Sequence, residues 1–154
     1  MITFNTENIA FPLIKRQIVG NWIKHTAKLH GKRVGEVNFL FCTDEKILEV
    51  NKTYLQHDYY TDIITFDYTE NDCISGDIFI SLDTVKSNAE TFNTDYLEEL
   101  HRVIIHGVLH LCGQNDQSDE EQEEMTRKEN EALIQLQTLK KVANYTSENI
   151  LSSM

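Results

Sequence analysis

The sequence predicts an α+β fold, in which a small mixed sheet of about four strands packs with about five helices around a buried central helix. Short runs of alternating or β-branched residues predict the strands, and apolar residues at three- and four-residue spacing predict the helices. One segment, residues 103–111, is apolar on nearly every side of a helix. This pattern is typical of a helix in the middle of a fold.

The N-terminal part predicts an edge strand followed by an amphipathic helix. Residues 1–7 alternate weakly, as an edge strand does. The apolar residues that then recur at helical spacing are Phe11, Ile14, Ile18 and Trp22. We expect this helix to have Pro12 near its first turn, where the missing N–H costs little, and to end at about His30.

Glycines and alternation predict the elements after this helix. Gly31 and Gly35 should bracket a turn, and the alternation over residues 37–41 predicts a strand. Asp44 is the expected N-cap of a short helix. Residues 54–62 break the periodicity, so we expect an ordered loop there.

Two β-rich runs, residues 63–68 and 74–82, lie on either side of a short polar turn. They predict an antiparallel hairpin at or near a sheet edge. Residues 83–92 then predict a short helix.

The last two helices are bounded by recognisable caps. Thr94 should cap the central helix, and Gly113 should end it, because a left-handed glycine stops a helix. Ser118 should begin the next helix, with Glu121 three residues later to complete a capping box.

Length and composition predict one soluble domain. A chain of 154 residues can bury a hydrophobic core without disulfide bonds or structural metals. We expect residues 1–140 to form the domain and residues 141–154 to be a frayed C-terminal tail. Three cysteines without CxxC spacing predict reduced thiols in a cytoplasmic protein. They are Cys42, Cys73 and Cys112. No apolar run is long enough to span a membrane, so we expect no membrane partner.

Charge is unevenly distributed along the chain. The net charge of −11 argues against a nucleic-acid partner. Residues 1–33, however, hold six basic residues and one acidic residue, which gives +5 there and −16 elsewhere. The densest basic cluster is Lys24, Lys28, Lys32 and Arg33. It is either a surface that contacts RNA phosphates or a solvated helix face.

The run from His106 to Asp116 predicts a metal site. His106 and His110 are four residues apart, so on a helix they project from one face and can hold one ion. Asp116 follows Gly113 by three residues and is free to add a carboxylate. Two histidines, one carboxylate and a fourth position for water are the ligands expected of a catalytic zinc site. The alternative is a pair of histidines that are hydrogen-bonded in the core without a metal.

Three blocks of the sequence resemble the YbeY endoribonuclease family. They are TDIITF at 61–66, GDI at 76–78 and HGVLHLCG at 106–113, the last followed by Asp116 and Met125. The similarity covers roughly residues 36–136. It implies a zinc-dependent, single-strand-specific endoribonuclease that matures the 3′ end of small-subunit (16S) ribosomal RNA. The implied partners are ribosomal RNA and the small ribosomal subunit or its assembly factors, and no DNA is expected.

Two positions depart from the family's pattern. Asp116 stands where the family usually has a third histidine, and Leu55 stands where it commonly has an arginine. Aspartate is an acceptable zinc ligand, so we expect the metal site to persist. His57 is a candidate to replace the arginine in positioning a phosphate.

Three polar residues in these blocks have two interpretations each. Thr61 and Asp62 either end a loop by bonding backbone N–H groups, or contact the substrate or a metal ligand. Asp77 either orients a ligand histidine through its free ring nitrogen or faces outward from its strand, and we favour the outward position. The sequence does not identify the general base.

The chemistry that we infer is phosphodiester hydrolysis by a zinc-bound water. Two other functions are rival interpretations of the same residues. The ligand spacing also matches that of metzincin metalloproteases, and we expect the buried metal-binding helix to be zincin-like. Those enzymes need a glutamate directly after the first histidine, and this chain has Gly107 there. The second rival is a non-enzymatic ribosome assembly factor that a metal only stabilises.

Overall fold

The computed structural model describes residues 1–55 and 61–153 of the chain. The strands are β1 (Ile2–Thr6), β2 (Arg33–Cys42), β3 (Ile63–Asp67) and β4 (Cys73–Ser81). The helices are α1 (Arg16–Leu29), α2 (Asp44–Val50), α3 (Leu82–Phe92), α4 (Tyr96–Leu111) and α5 (Asp119–Ser153), with a π-helical turn, Asn51–Leu55, after α2. These elements confirm the predicted α+β class.

The four strands form one mixed sheet in the order β1-β2-β4-β3. β1 and β4 run parallel to β2, whereas β3 runs antiparallel to β4 at the edge. The predicted hairpin is therefore β3 and β4. In its turn the carboxylate of Asp67 accepts a hydrogen bond from the backbone N–H of Thr69 at 2.9 Å.

Each face of the sheet buries a separate cluster of side chains. Large, fully buried members of the main core, between the sheet and α1, α4 and α5, are Trp22, Phe39, Ile78, Ile104 and Leu109. The smaller cluster, beneath α2 on the other face, is Cys42, Ile47, Val50 and Ile64. Successive side chains of a strand point to opposite faces, which is why one sheet serves both clusters.

α4 is the buried central helix that the sequence predicts. It contacts α1, α3, α5, β3 and β4. It approaches the sheet closely at Gly107, where an added Cβ would lie 3.0 Å from Ile63 Cδ1 and 3.1 Å from Ile78 Cδ1. Gly113, with a φ of +100°, ends the helical turn as predicted.

Two N-caps lie one residue away from their predicted positions. Asp95, not Thr94, caps α4, and its carboxylate accepts two backbone N–H groups at 3.1 and 3.3 Å. Thr94 belongs to the end of α3 instead, where its N–H donates to the carbonyl of Ala89 at 2.9 Å. Thr43, not Asp44, caps α2 by accepting a backbone N–H at 3.3 Å.

α1 begins at Arg16, later than the sequence predicted. Phe11 lies in the non-helical segment before it, where its ring meets Phe41 edge-on with centroids 5.7 Å apart. The guanidinium of Arg16 lies 3.8 Å from the centre of the Phe11 ring. The apolar residues of the segment that holds Phe11 and Pro12 are therefore spaced for packing onto the core. This spacing resembles that of a helix although the segment is not helical.

Gly35 lies inside β2 and does not bracket a turn. A Cβ at this position would lie 2.6 Å from Ser75 Oγ and 2.8 Å from Cys73 Sγ. The register between β2 and β4 also shifts between Val34 and Val37. The glycine therefore permits close approach of two strands, which is a common reason for glycine in a strand.

α5 begins with the predicted capping box. The Ser118 hydroxyl accepts the N–H of Glu121 at 3.1 Å, and the Glu121 carboxylate accepts the N–H of Ser118 at 3.1 Å. The indole N–H of Trp22 donates to the carbonyl of Ala132 at 2.7 Å and fixes α5 against α1. The helical backbone continues to Ser153, through residues for which a frayed tail was predicted.

Within the described residues, no helix combines the length and the apolar character that crossing a bilayer requires. Cys42, Cys73 and Cys112 are free thiols, as predicted.

Candidate metal centre

Three potential ligand atoms converge near the C-terminal end of α4. His106 and His110 lie one turn apart, and their Nε2 atoms are 3.0 Å from each other. Oδ2 of Asp116, in the loop after α4, lies 3.2 Å from Nε2 of His106 and 3.3 Å from Nε2 of His110. The structure therefore brings together the three residues predicted as ligands.

The spacing and chemistry of these atoms fit one tetrahedral metal ion. Ligand atoms about 2.0–2.1 Å from a tetrahedral zinc lie about 3.3 Å from one another. Each of the three atoms offers a lone pair, so their close approach requires a shared cation or proton. In the described part of the chain this is the one group of His, Cys, Asp or Glu residues whose ligand atoms all lie within 4.8 Å of one another. Metal binding by the group remains a prediction.

Glu129 of α5 orients the ring of His106. The Nδ1–H of His106 donates to Oε2 of Glu129 at 2.7 Å. Arg102 holds the other carboxylate oxygen at 3.0 Å and also donates to Asn130 Oδ1 at 2.8 Å. A proton on Nδ1 leaves the Nε2 lone pair free for a metal. The contact thus selects the tautomer that the ligand role needs.

Sequence analysis missed both Glu129 and Arg102. A signal for Glu129 was present, because Met125, Ala132 and Leu136 are buried on one face of α5 and Glu129 lies among them at 7% exposure. A carboxylate on an apolar stripe needs a partner. The partner itself depends on how α5 packs against α4, which the sequence does not reveal.

Charges around His106 favour a cation at this point. Burial acts to lower the pKa of His106, but the hydrogen bond and charge of Glu129 and the charges of Asp116 and Asp62 outweigh it, so the pKa is raised. The negative field that stabilises an imidazolium also stabilises a metal ion in its place. Protons and metal should therefore compete for this centre.

A cleft of about 480 Å³ adjoins the three ligand residues. Its other lining residues are Thr61, Asp62, Ile63, Thr65, Asp67 and Asn115. Burial raises the pKa of Asp62, and the charge of His106 and hydrogen bonds from backbone N–H groups partly offset the rise. Asp62 bonds backbone N–H groups, as the loop-ending interpretation predicts, and both Thr61 and Asp62 line the cleft. Contact of either residue with a substrate stays a prediction.

Of the other residues predicted for the site, Asp77 lies elsewhere and His57 is not described. Asp77 is on the opposite face of the sheet, where its Oδ1 accepts a hydrogen bond from Asn38 Nδ2 at 3.0 Å. This is the outward position that the sequence analysis favoured. Residues 56–60, including His57, lie outside the described residues. The first part of the predicted loop, up to Leu55, belongs to the π-helical turn.

The basic cluster follows the outer surface of α1 into the start of β2. Lys24 and Lys28 are exposed on α1. Arg33 forms an exposed ion pair with Asp72, with Nε and Oδ1 3.4 Å apart. Burial raises the pKa of the Cys112 thiol to about 11, and Lys32 is close enough to oppose that rise. Two of the four basic residues are therefore exposed on α1, and the other two lie in the turn and the strand that follow it.

Comparison with known proteins agrees with the three sequence blocks. The family model for Endoribonuclease YbeY matches residues 2–137. The endoribonuclease YbeY of Parabacteroides distasonis is 63% identical over 132 residues, which cover 86% of this chain and 93% of that relative. The endoribonuclease YbeY of Bacteroides thetaiotaomicron is 59% identical over 132 residues, covering 86% and 96%. A Thermotoga maritima protein solved in solution superimposes with a TM-score of 0.65 at 27% identity, covering 88% of this chain and 89% of that one. The chain therefore belongs to the YbeY endoribonuclease family.

Proposed function

We propose that this protein is a zinc-dependent endoribonuclease that hydrolyses single-stranded RNA at a centre formed by His106, His110 and Asp116. As a member of its family it is a hydrolase that acts on RNA phosphodiester bonds. The observation that carries the zinc proposal is the approach of three ligand atoms to 3.0–3.3 Å beside a cleft. Three protein ligands leave a position for water, which is the arrangement of catalytic zinc sites.

The chain's own residues would prepare this centre for chemistry. When bound, zinc supplies a Lewis acid that polarises a phosphoryl oxygen and lowers the pKa of a coordinated water. Glu129 keeps the proton of His106 on Nδ1, and Arg102 keeps Glu129 in place. Asp116 adds a negative charge where a third histidine would add none. We therefore expect the coordinated water to be less acidic than at a three-histidine centre.

Single-stranded RNA is the proposed substrate because a flexible backbone can bring a phosphate into the cleft, whereas a stacked duplex resists bending. Polar side chains of Thr61, Thr65 and Asn115 in the cleft lining offer hydrogen bonds to a sugar–phosphate chain. From the family resemblance we propose the 3′ end of 16S ribosomal RNA as the physiological target. The protein would act there during small-subunit assembly in the cytoplasm.

We further propose that the basic surface of α1 contacts this RNA. Its members are Lys24, Lys28, Lys32 and Arg33. Replacing all four with Gln should weaken RNA binding and flatten its dependence on salt, because fewer counterions are then released from the phosphates. Zinc content should not change. An unaltered salt dependence would make this surface a solvated helix face.

Gly107 argues against a peptidase. Metalloproteases of matching ligand spacing use a glutamate directly after the first histidine as general base. A side chain at Gly107 would meet Ile63 Cδ1 at 3.0 Å and Ile78 Cδ1 at 3.1 Å. α4 therefore lies against the sheet at the position where that glutamate would be needed.

The deciding experiment compares cleavage of ribosomal RNA and casein by purified, metal-quantified protein. Zinc-loaded protein should cut the RNA and leave casein intact. His110→Ala should lose zinc and RNA cleavage, whereas His25→Ala, at an exposed histidine of α1, should retain both. The non-enzymatic assembly factor becomes the better interpretation if zinc-loaded protein leaves RNA uncut, alone and on ribosomes, while cells lacking it assemble defective small subunits.

A further inference from the structure

β3 is an edge strand of the sheet, and it borders the metal cleft. It pairs with β4 on one side, and no strand among the described residues pairs with its other side, which we call the open edge. Alternate residues of β3 line the cleft together with the two histidines of α4. They are Ile63, Thr65 and Asp67. The cleft therefore lies between the open edge of β3 and the ligand end of α4.

The pairing of β3 with β4 determines which peptide groups point to the open edge. The N–H of Tyr68 donates to the carbonyl of Ser75 at 2.8 Å. At the other end of the hairpin, the N–H of Ser81 donates to the carbonyl of Asp62 at 2.9 Å. Both contacts fit the antiparallel register, in which bonded and non-bonded residue pairs alternate. The odd-numbered residues of β3 therefore direct their N–H and C=O groups away from β4.

Two of these outward N–H groups are available to a ligand. The N–H groups of Thr65 and Asp67 have no hydrogen-bond partner among the described residues. The N–H of Ile63 differs, because the Asp62 carboxylate accepts it. The Asp67 carboxylate is directed into the hairpin turn, where it accepts the N–H of Thr69 at 2.9 Å. Unpaired peptide groups on a sheet edge are ready to pair with another chain.

An RNA strand in this cleft needs hydrogen-bond donors that charged side chains do not supply. The lining holds no lysine or arginine among the described residues, whereas Asp62 and Asp116 are acidic. Backbone N–H groups are regular partners of phosphate oxygens in complexes with nucleic acids. The ribose 2′-hydroxyl is a donor as well as an acceptor, so it can also pair with the outward C=O groups. RNA thus complements both kinds of peptide group on the open edge.

We propose that the outward N–H groups of Thr65 and Asp67 bind phosphate oxygens of the RNA strand and hold it along β3 beside the candidate metal centre. The inference rests on the proposed function. Contact between β3 and α4 fixes the position of these donors, since Cδ1 of Ile63 would lie 3.0 Å from a Cβ added at Gly107. Gly107 directly follows the predicted ligand His106. The strand is therefore positioned by the sheet itself.

Thr65→Pro tests the central donor. Proline removes the outward N–H but no hydrogen bond between β3 and β4, because a proline is accepted on an edge strand where the N–H faces outward. The matched control is Thr65→Val, which loses the hydroxyl and keeps the N–H. Binding of a fluorescein-labelled deoxyuridine hexamer, which has the phosphates but lacks the 2′-hydroxyl, is measured with the zinc-loaded full-length chain. Thr65→Pro should raise its Kd about 10-fold, and Thr65→Val by less than about twofold.

Activity and zinc content separate binding from damage to the centre. With a uridine hexamer as substrate, Thr65→Pro should raise KM by a similar factor and change kcat little, because the lost contact binds the strand and not the reacting atoms. Zinc content should equal that of the unmodified chain. Thr65→Val should match the unmodified chain in all three quantities.

Amide hydrogen exchange of the unmodified, zinc-loaded chain gives an answer even if the proline variant fails to fold. Saturation with the deoxyuridine hexamer should slow exchange at Thr65 and Asp67 several-fold. The N–H of Ile64, which points to β4, is the internal control and should exchange at an unchanged rate.

The proposal is overturned if exchange at Thr65 and Asp67 stays unchanged, or if a folded Thr65→Pro chain binds the hexamer as tightly as Thr65→Val does. The endoribonuclease proposal then stands, provided that the zinc-loaded chain cuts RNA. If an uncharged extended peptide of alternating valine and threonine slows exchange at the same amides and the hexamer does not, the open edge is a peptide site. If the zinc-loaded chain neither binds nor cuts RNA, both proposals are overturned.

Discussion

His106 donates its Nδ1 proton to Glu129 over 2.7 Å, and this contact joins α4 to α5 beside the candidate centre. Glu129 is only 7% exposed and also holds Arg102. A carboxylate fixed in this way sets the orientation of the imidazole ring, because the carboxylate itself has little freedom to move. The ligand face of α4 therefore depends on the packing of α5.

Replacing Glu129 with Gln should weaken zinc binding by roughly 10- to 100-fold, because the amide keeps the shape of the carboxylate but loses the charge that supports His106. Competition with a colorimetric zinc chelator measures the affinity. Glu123→Gln, at an exposed glutamate of the same helix, is the matched control and should bind zinc normally. Equal affinities of both variants would mean that packing alone orients His106.

Asp116→His should keep one zinc per chain. The loop holds Oδ2 of Asp116 within 3.2–3.3 Å of both histidine nitrogens, and an imidazole nitrogen can replace a carboxylate oxygen as a zinc ligand. Asp116→Ala leaves two protein ligands and should contain much less than one zinc. Elemental analysis of protein purified without a histidine tag measures the zinc content of both variants. Loss of zinc from Asp116→His would show that residue 116 is not the third ligand.

Features that depend on local spacing were predictable from the sequence. The four-residue interval between His106 and His110 follows directly from helix geometry, and Gly113 ends the helix through its positive φ. The hairpin of β3 and β4 follows from two β-rich runs around a polar turn. In each case the residues that determine the structure are close in the sequence.

Features that depend on packing between distant elements were not predictable. Glu129 meets His106 only because α5 lies on α4, and Gly35 is needed only because β2 approaches β4. Phe11 has helical spacing but packs on Phe41 from a non-helical segment. The helical backbone to Ser153 was also missed, since hydrogen bonds within a helix need no sustained apolar pattern.

Gly76→Ala should destabilise the fold by about 1–3 kcal/mol. A Cβ there would lie 2.5 Å from the carbonyl oxygen of Phe66 and 2.9 Å from Leu111 Cδ2, so β3 or the end of α4 would have to move. Gly20→Ala is the matched control, because apart from the adjoining residues and the nearby backbone of α1 itself no heavy atom lies within 4 Å of its added Cβ. It should stabilise by up to about 1 kcal/mol through helix propensity. Urea unfolding curves measure the change in the free energy of unfolding for each variant, and the two changes should have opposite signs.

Deleting residues 145–154 should leave the melting temperature and zinc content unchanged. Leu136 and Leu139 of α5 pack on the main core, and the family match ends at residue 137. A chain that ends at residue 131 is the contrasting variant, because it loses Leu136 and the carbonyl of Ala132 that binds Trp22. It should unfold or melt far lower. A large fall in melting temperature for the shorter deletion would assign the C-terminal turns of α5 to the domain.

His101 should make the fold sensitive to acid independently of the candidate centre. Its side chain is 5% exposed and lies edge-on to Trp22 with ring centroids 6.0 Å apart. Burial lowers its pKa from 6.5 to about 4, with Lys140 adding to the fall and Asp95 opposing it. At pH values above the unfolded pKa the residue is neutral in both states. As pH falls from 6.5 to about 4, the unfolded chain takes up the proton first, so stability is lost.

Replacing His101 with Phe should flatten this loss, because the new ring cannot be protonated but can still lie against Trp22. The free energy of unfolding of the unmodified chain should fall relative to that of His101→Phe by up to about 1.4 kcal/mol per pH unit in that range. Urea unfolding at several pH values, followed by the fluorescence of the single tryptophan, measures the difference. Both chains keep His106, His110 and Asp116, so protonation of the centre cancels in the comparison. Parallel pH profiles would mean that His101 takes up its proton equally readily in the folded and unfolded states, and that the acid sensitivity of this fold lies elsewhere.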